Sequence, residues 1–352
     1  MRKCVRLRCS ARFPLAQTQT NLSAIALPRH KNRSMTTARS DLMPPGQSGT
    51  FHIVARCVRR SFLWGFDRYS NQNYDHRKPW VEQRILLLSN AFAVSLLSYA
   101  VMSNHLHIVI ANQPVPVTAW SDLEVAERWN RIFPPKHAKD APAKIVALLE
   151  NLAYMKVLRG RLSNLSWFMK TLQEPIAKRA NAEDGVKGRF FDGRFKSQIL
   201  LSQNAVLAAM AYVDLNPVRA KIVGSLGKSK NTGIKLRMKK IAKNHSLAGE
   251  FLAPIAGLAT FQLPNLSEAE YIEFVDQTGR IMHPGKRGVI GAHEPPALRK
   301  LGLDMHHWTM QVKGNGSGYW RAVGAAEELI EKAVEIPRTW LCGIGFARLF
   351  NG

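Results

Sequence analysis

The sequence is poor in acidic residues. Its 352 residues include 25 Asp and Glu against 50 Lys and Arg, which gives a formal net charge of +25. A chain this basic typically contacts a polyanion, because each Lys or Arg that neutralises a phosphate releases a condensed counterion. The excess is concentrated in residues 186–249, where 13 basic residues face two acidic ones. This segment is therefore the first candidate for a phosphate-contacting surface.

Cysteines and long apolar runs are also scarce. The four cysteines include no pair at the spacing of zinc ligands, which argues against a zinc module or a disulfide scaffold and favours a reducing, cytoplasmic location. No apolar run reaches the roughly 18 residues of a membrane span, so no membrane association is predicted. Hydrophobic residues make up 46% of the chain, which is enough to bury a sizeable core.

Charge also divides the chain into regions. Residues 1–40 hold nine basic residues and no acidic one, a composition typical of a mitochondrial transit peptide or of a stretch read from an upstream Met. We interpret residues 1–48 as a disordered or non-native extension. The fall in charge near residue 250 predicts a domain from 49 to 224, a basic linker over 225–249 and a mainly helical C-terminal region over 250–352.

The start of the central domain has clear periodicity. Residues 50–58 alternate as a half-buried strand does, and a helical pattern follows between residues 79 and 92. Residues 94–102 and 105–111 are two further strands, joined by a turn at 103–104. This β–α–β–β order predicts an α+β domain with an antiparallel sheet.

Two longer helices are predicted after these strands. Residues 143–180 have a helical pattern that we expect to break at Gly160. A second helix covers residues 202–212 and is expected to end before Pro217, because the residue preceding a proline disfavours the helical region.

The most informative pair is His105 and His107, separated by one apolar residue. Side chains two apart on a strand point to the same face, so the two imidazoles should project together. Two imidazoles on one rigid strand can hold a divalent metal, which could then polarise a phosphodiester oxygen. Taken alone, this spacing on a strand is more often an ordinary pair of outward-facing polar residues.

Three segments together resemble the single-tyrosine HUH transposases, and most closely their REP-associated branch. They are YAVMSNHLHIV at 99–109, GRFFDGRFKS at 188–197 and YVDLNPVRA at 212–220. The resemblance implies a ferredoxin-like antiparallel sheet with helices on one face. It also implies Mg²⁺- or Mn²⁺-dependent nicking and joining of single-stranded or hairpin DNA in DNA transposition. In that chemistry a tyrosine hydroxyl attacks a backbone phosphate and forms a 5′-phosphotyrosine.

The resemblance assigns His105 and His107 as metal ligands and Gln198 as a third. It also assigns the nucleophilic tyrosine to a position that holds Phe195 or Lys196 here. Neither side chain can form a phosphotyrosine.

Three alternatives follow from this departure. A displaced tyrosine is the nucleophile, with Tyr154 the first candidate and Tyr212 the second. The protein instead uses a metal-activated water to hydrolyse DNA. Or it has lost the chemistry and binds DNA or RNA with the same fold, in which case the His pair could be incidental.

The nucleic-acid contacts are predicted from the basic residues near these motifs. Phe190, Phe191 and Phe195 lie among them and either stack on exposed bases or belong to the core. The sequence leaves a monomer and a dimer equally open. The predicted DNA contacts are Arg59, Arg60, Arg189, Arg194, Lys196 and Arg219.

Overall fold

The computed structural model describes residue 44 and residues 46–68, 70–282, 295–317, 321–336 and 341–348. The predicted N-terminal extension lies almost wholly outside the described residues. The described residues belong to one compact unit. No helix within these ranges is both long and apolar enough to cross a lipid bilayer.

The described chain contains short and long elements of both types. The strands are β1 (Gly49–Arg56), β2 (Phe66–Asp67), β3 (Gln72–Asn73), β4 (Val94–Val101), β5 (His105–Asn112), β6 (Lys196–Leu200), β7 (Ala256–Gly257) and β8 (Ala322–Val323). The helices are α1 (Lys78–Ser89), α2 (Asp122–Ile132), α3 (Ala141–Leu149), α4 (Leu152–Leu162), α5 (Leu165–Glu183), α6 (Gln203–Arg219), α7 (Gly233–Lys243), α8 (Glu268–Met282), α9 (Pro296–Lys300), α10 (Met305–Ser317), α11 (Ala326–Glu335) and α12 (Ile344–Ala347).

Six strands form the main sheet, in the order β7-β4-β5-β1-β6-β8. The inner four, β4-β5-β1-β6, pair antiparallel in the ferredoxin-like order. The sheet as a whole is mixed, because β8 pairs parallel with β6. The predicted α+β class is therefore confirmed, together with the ferredoxin-like antiparallel core.

Helices cover both faces of this sheet. On the first face, α1 and α5 pack over apolar side chains of β1 and β5 such as Phe51, Ile53 and Ile108. On the second face, α6 packs over Val109 and Leu200, with α8 and α10 outside it. The prediction of helices on one face thus holds for α1 and α5, which connect strands of the sheet along the chain. The second face is covered by α6 and by helices from beyond residue 250.

Helix α6 is nearly surrounded by protein. Residues 205–217 are all buried, since the helix lies between the sheet and α8 and α10. The prediction that it ends before Pro217 is wrong, because the helix continues to Arg219. The proline lies in the last turn, where its missing N–H removes a single hydrogen bond, and the Ala220 N–H still donates to the Asn216 carbonyl at 2.9 Å.

The long helix predicted over 143–180 is three helices. The breaks fall before Asn151 and Asn164, whose side chains accept hydrogen bonds from the first turns of α4 and α5. Gly160, the expected break, lies inside α4. Asparagine is a preferred N-cap, so capping outweighs the modest helical cost of one glycine.

The basic linker predicted over 225–249 contains α7, which packs against β4. Gly233 begins this helix where an added Cβ would meet the Tyr99 backbone nitrogen. The Arg237 side chain is buried, pairs with Glu268 at 2.5 Å and donates to the Leu97 carbonyl at 3.1 Å. A buried and paired arginine is a structural anchor, so the charge of this segment is only partly available to a ligand.

The buried Asp214 carboxylate ties the C-terminal helices to the sheet. One of its oxygens accepts from the Ser98 hydroxyl at 2.8 Å and from the Ile234 N–H at 3.1 Å. The other accepts from the Tyr271 hydroxyl at 2.5 Å. These bonds join α6 to β4, α7 and α8. The boundary predicted near residue 250 therefore does not separate two independent cores among the described residues.

This network gives a stability prediction. Tyr271→Phe removes a buried hydroxyl donor from Asp214 and should lower the free energy of unfolding by about 1.5–3 kcal/mol, as for hydrogen bonds to charged groups. Tyr74→Phe is the matched control, because the Tyr74 hydroxyl donates to Gln72 at the surface, and should change it by less than about 0.5 kcal/mol. Urea denaturation measures both. Equal losses would mean that Asp214 does not anchor α8.

Candidate functional site

His105 and His107 begin strand β5 and project from the same face, as the alternation predicts. Their ring centroids lie 4.7 Å apart with the ring planes at 80°. Their partners on β1 are Arg56 and Val54, respectively. This is the second face of the sheet, the one that α6 covers.

The His107 ring is buried and both of its nitrogens are engaged. Its Nδ1 lies 2.9 Å from Nε2 of His52, whose Nδ1 lies 2.8 Å from the Oε1 of Gln198. On its other side, the Nε2 of His107 accepts from the Asn216 side-chain amide at 3.2 Å. His52 and Gln198 are direct cross-strand neighbours on β1 and β6. A line of polar side chains thus crosses three strands beneath α6.

His105 lies at the edge of the same cluster and is half-buried. Its Nδ1 donates to the Oδ1 of Asn104 at 2.6 Å. This bond leaves its Nε2 as the lone-pair nitrogen, because a neutral imidazole carries one proton.

Helix α6 contributes three side chains at positions 212, 216 and 219, which share one face of a helix. The Tyr212 ring lies edge-on to His107 at 5.6 Å and to His52 at 5.7 Å, between ring centroids. The Arg219 guanidinium lies over the Tyr212 ring at 4.5 Å. The second tyrosine candidate is therefore the one that lies beside the histidines.

Burial keeps the three imidazoles neutral at pH 7. It lowers the pKa of His52 to about 4, and burial together with the Arg56 charge lowers the pKa of His105 to about 4. The pKa of His107 lies well below its usual range because of burial, the neighbouring histidines and the charges of Arg56 and Arg219. Neutral imidazoles beside two guanidiniums make a site that attracts anions and can ligate metals.

Three loops meet at the end of the sheet where His105 lies. The Cys57 N–H donates to the Asn104 carbonyl and the Val58 N–H to the Phe190 carbonyl, both at 2.9 Å. The Arg56 carbonyl accepts from the Asp192 N–H at 2.8 Å. Most of the predicted contacts are exposed on these loops or at the adjacent start of β6, namely Arg59, Arg60, Arg189, Arg194 and Lys196.

Two of these arginines have unusual backbone conformations. Arg59 and Arg60 have φ angles of 52° and 59°, in the left-handed region that side chains rarely adopt. The Asn104 side chain donates to the Arg60 carbonyl at 3.2 Å and so helps to hold this turn. Such strain is concentrated at ligand-binding segments in proteins, and here it falls in the exposed turn that follows β1.

Two predicted site residues do not contact His107. Tyr154, the first nucleophile candidate, lies on α4 and packs with the core on the first face, so the sheet separates it from His107. Its hydroxyl accepts from Arg161 at 3.1 Å. The Gln198 side chain bonds to His52, and His52 in turn bonds to His107, so His52 lies between Gln198 and His107.

The aromatic residues of the 188–197 segment belong to the core. Phe190 is buried, with its ring centroid 5.9 Å from that of Trp64, and Phe191 and Phe195 pack against the same cluster. Of the two alternatives left by the sequence, base stacking and core packing, packing is correct. The charged residues between them remain at the surface.

The sequence analysis missed His52, Asn216 and Arg56. His52 and Arg56 occupy alternate positions of β1, on the face where the strand carries polar residues, and this alternation is visible in the sequence. Asn216 follows Tyr212 by four residues, the spacing of neighbours on a helix face. The sequence could not show that the polar face of β1 lies against the helix face that carries Tyr212 and Asn216.

The nature of the donors limits which metal could bind. Within the described ranges, no group of three His, Cys, Asp or Glu is arranged to hold a metal ion. The donors at hand are the Nε2 atoms of His105 and His107 and, after a 180° turn of its amide, the Oδ1 of Asn216. Two imidazoles without a carboxylate fit Mn²⁺ better than Mg²⁺, which prefers carboxylate oxygens.

Comparison with known proteins gives little further information. No protein-family model matches the chain, and no curated protein matches it. A solved structure of a REP-associated tyrosine transposase bound to a REP hairpin is similar with a TM-score of 0.31 and 14% identity. The match covers 62% of this chain and 91% of that chain. Similarity at this level establishes neither membership of a family nor an activity.

The lowered histidine pKa values predict a pH dependence of stability. In the unfolded chain a histidine takes up its proton near pH 6.5, whereas folded His105 does so near pH 4. The unfolded state therefore binds more protons between these values, and stability falls as pH falls from about 6.5 to 4. His105→Gln removes one histidine with a lowered pKa. Between pH 7 and pH 5, the variant should therefore lose about 1–2 kcal/mol less unfolding free energy than the wild type does.

Urea denaturation at the two pH values measures this difference. The buried Asp214 has a pKa raised by burial to about 6 and changes stability in the opposite direction. It is present in both proteins, so its contribution cancels in the comparison. Identical losses in the two proteins would contradict a lowered pKa for His105.

Proposed function

We propose that this protein binds single-stranded or hairpin DNA at the histidine end of its sheet and cleaves one strand there with Mn²⁺ or Mg²⁺. The observation that carries the proposal is the convergence at one place of two neutral imidazoles, a tyrosine and a rim of exposed arginines. The imidazoles come from β5, the tyrosine from α6 and the arginines from the surrounding loops. Such a convergence is what cleavage of a phosphodiester needs, namely charge neutralisation, a nucleophile and a metal ligand pair.

The charge of the site supports a nucleic-acid ligand. Arg56 and Arg219 lie close enough to His107 to lower its pKa, and Arg59, Arg60 and Arg194 are exposed on the loops around it. No acidic side chain contributes to the pKa of any of the three site histidines. A phosphate backbone would enter a predominantly positive field, with Asp192 the acidic residue of the adjoining loop, which favours association and makes it sensitive to salt.

Within this proposal, His105 and His107 would hold the metal through their Nε2 atoms, and Asn216 would supply an amide oxygen. When bound, the metal would polarise a phosphate oxygen and neutralise the charge that develops there. Arg219 and Arg56 would bind the remaining phosphate oxygens. Asn104 orients His105 through its Nδ1–H, as partners of metal-bound histidines commonly do.

Tyr212 is the nucleophile in this proposal. Its oxygen would form a bond to phosphorus while the bond to the 3′ oxygen breaks, leaving the protein on the 5′ phosphate. The phenolic proton passes to water, and the leaving 3′ oxygen takes up a proton. In the described structure Tyr212 is 9% exposed and covered by the Arg219 guanidinium. A phosphate that binds Arg219 would draw this cover away from the ring.

A covalent adduct is the decisive test of this step. A hairpin oligonucleotide labelled at its 3′ end is incubated with protein and Mn²⁺ and separated on a denaturing gel. Wild type and Tyr154→Phe should give a labelled protein band, because Tyr154 lies on the other face of the sheet. Tyr212→Phe should give none, and His105→Ala with His107→Ala should give none while DNA binding persists.

The other outcomes separate the alternatives. Cleaved DNA without an adduct in wild type would favour a water nucleophile. Binding without cleavage would favour a nucleic-acid-binding protein that has lost the chemistry. In that case Tyr212 would stay covered by Arg219 when DNA is bound. An adduct that survives in Tyr212→Phe would refute the assignment of the nucleophile.

The phosphate-binding role of the loop is tested by salt dependence. Arg194→Gln with Lys196→Gln should weaken binding of a single-stranded oligonucleotide and reduce the slope of log affinity against log salt by about 0.7 for each phosphate that is no longer neutralised. Lys139→Gln with Lys313→Gln is the control, since it removes the same charge from exposed positions on other elements. Fluorescence anisotropy over a series of salt concentrations measures both. Equal slopes in the two variants would mean that the loop is not a phosphate-binding surface.

A further inference from the structure

A buried line of hydrogen-bonded side chains runs from His107 across the neighbouring strands, through His52 to Gln198. His52 and Gln198 are 1% and 2% exposed, on the central strand β1 and on β6. Burying two polar side chains in a sheet is costly unless their hydrogen bonds are satisfied. The hydrogen bonds they make lead in one direction, to the Nδ1 of His107.

The proton positions along this line are linked. The amide oxygen of Gln198 can only accept, so the Nδ1 of His52 donates to it. Neutral His52 then has its lone pair on Nε2, and the Nδ1 of His107 must donate to that atom. His107 in turn has its lone pair on Nε2, where the Asn216 amide donates. Each ring is thereby held in its Nδ1–H form.

We infer that His52 and Gln198 are positioning residues that hold His107 as its Nδ1–H tautomer, with the Nε2 lone pair directed into the site. The inference rests on the proposed metal site for its purpose but not for its geometry. An imidazole protonated on Nε2 could not ligate through that atom. His105 reaches the same tautomer by a local bond to Asn104, whereas buried His107 depends on the cross-strand pair.

The Gln198 amide sets the direction of the line. A turn of this amide would place Nε2 opposite His52, reverse every donor and put the His107 proton on Nε2. In the described structure the Gln198 Nε2 is buried without a hydrogen-bond partner among the described residues. The tautomer of His107 is thus a direct report on whether the oxygen or the nitrogen of Gln198 faces His52.

The tautomer can be read without metal or DNA. Two-bond ¹H–¹⁵N correlation spectra of the metal-free full chain near neutral pH, with ¹⁵N-labelled histidine, distinguish Nδ1–H from Nε2–H imidazoles. Wild type should show His107 as Nδ1–H. His52→Phe, which removes the acceptor, should shift His107 toward Nε2–H, and Gln198→Leu should give a mixture of the two forms. Thr50→Val is the matched control, a buried polar residue on the same face of β1, and should leave His107 unchanged.

Mn²⁺ affinity measured by calorimetry is the second readout. His52→Phe should weaken Mn²⁺ binding about 10- to 100-fold, as loss of a partner behind a ligating histidine does, and His52→Gln, which keeps an acceptor, should restore part of it. An Nε2–H form of His107 in wild type, or an unchanged Nδ1–H form in His52→Phe, overturns the inference. If His52→Phe does not fold, the wild-type spectrum and Gln198→Leu decide. Wild type that has the Nδ1–H tautomer but binds no Mn²⁺ would refute the metal site and leave the positioning role intact.

Discussion

The packing of α6 onto the second face of the sheet is the constraint on which the site depends. The strands beneath it carry His52, His105 and His107 on that face, where they would be solvated if the face were open. Once α6 covers them, burial keeps all three imidazoles neutral and makes every hydrogen bond among them obligatory. The same helix brings Tyr212 and Asn216 against the rings.

The C-terminal helices stabilise this arrangement from outside. Helices α8 and α10 cover α6, and the Asp214 carboxylate joins α6 to β4, α7 and α8 through three hydrogen bonds. The side chains two residues on either side of Asp214, Tyr212 and Asn216, belong to the site. The described residues after 250 therefore have a role in holding the site helix, although none of them contributes a side chain to the histidine cluster.

The proposed activity uses rigid elements for the reaction centre and loops for substrate binding. The proposed metal ligands begin a central strand whose register is fixed on both sides, by β1 and by β4. The arginines that we propose to bind phosphate lie on loops, whose side chains could adjust to a flexible substrate. Arg219 is the last residue of helix α6, and its guanidinium covers the Tyr212 ring. Phosphate binding to Arg219 would therefore also expose the proposed nucleophile. Sites built this way combine a fixed reaction centre with an adaptable binding surface.

The sequence by itself determined strands β1, β4 and β5, the α+β class and the common direction of His105 and His107, because alternation along a strand is a local property of the backbone. The stripe of Tyr212, Asn216 and Arg219 was also present in the sequence as helical spacing. Only the tertiary structure decided that this stripe faces the histidines, that Tyr154 lies behind the sheet, and that Gln198 reaches His107 through His52. These are relations between elements distant along the chain, and no local periodicity encodes which face of a helix meets which face of a sheet.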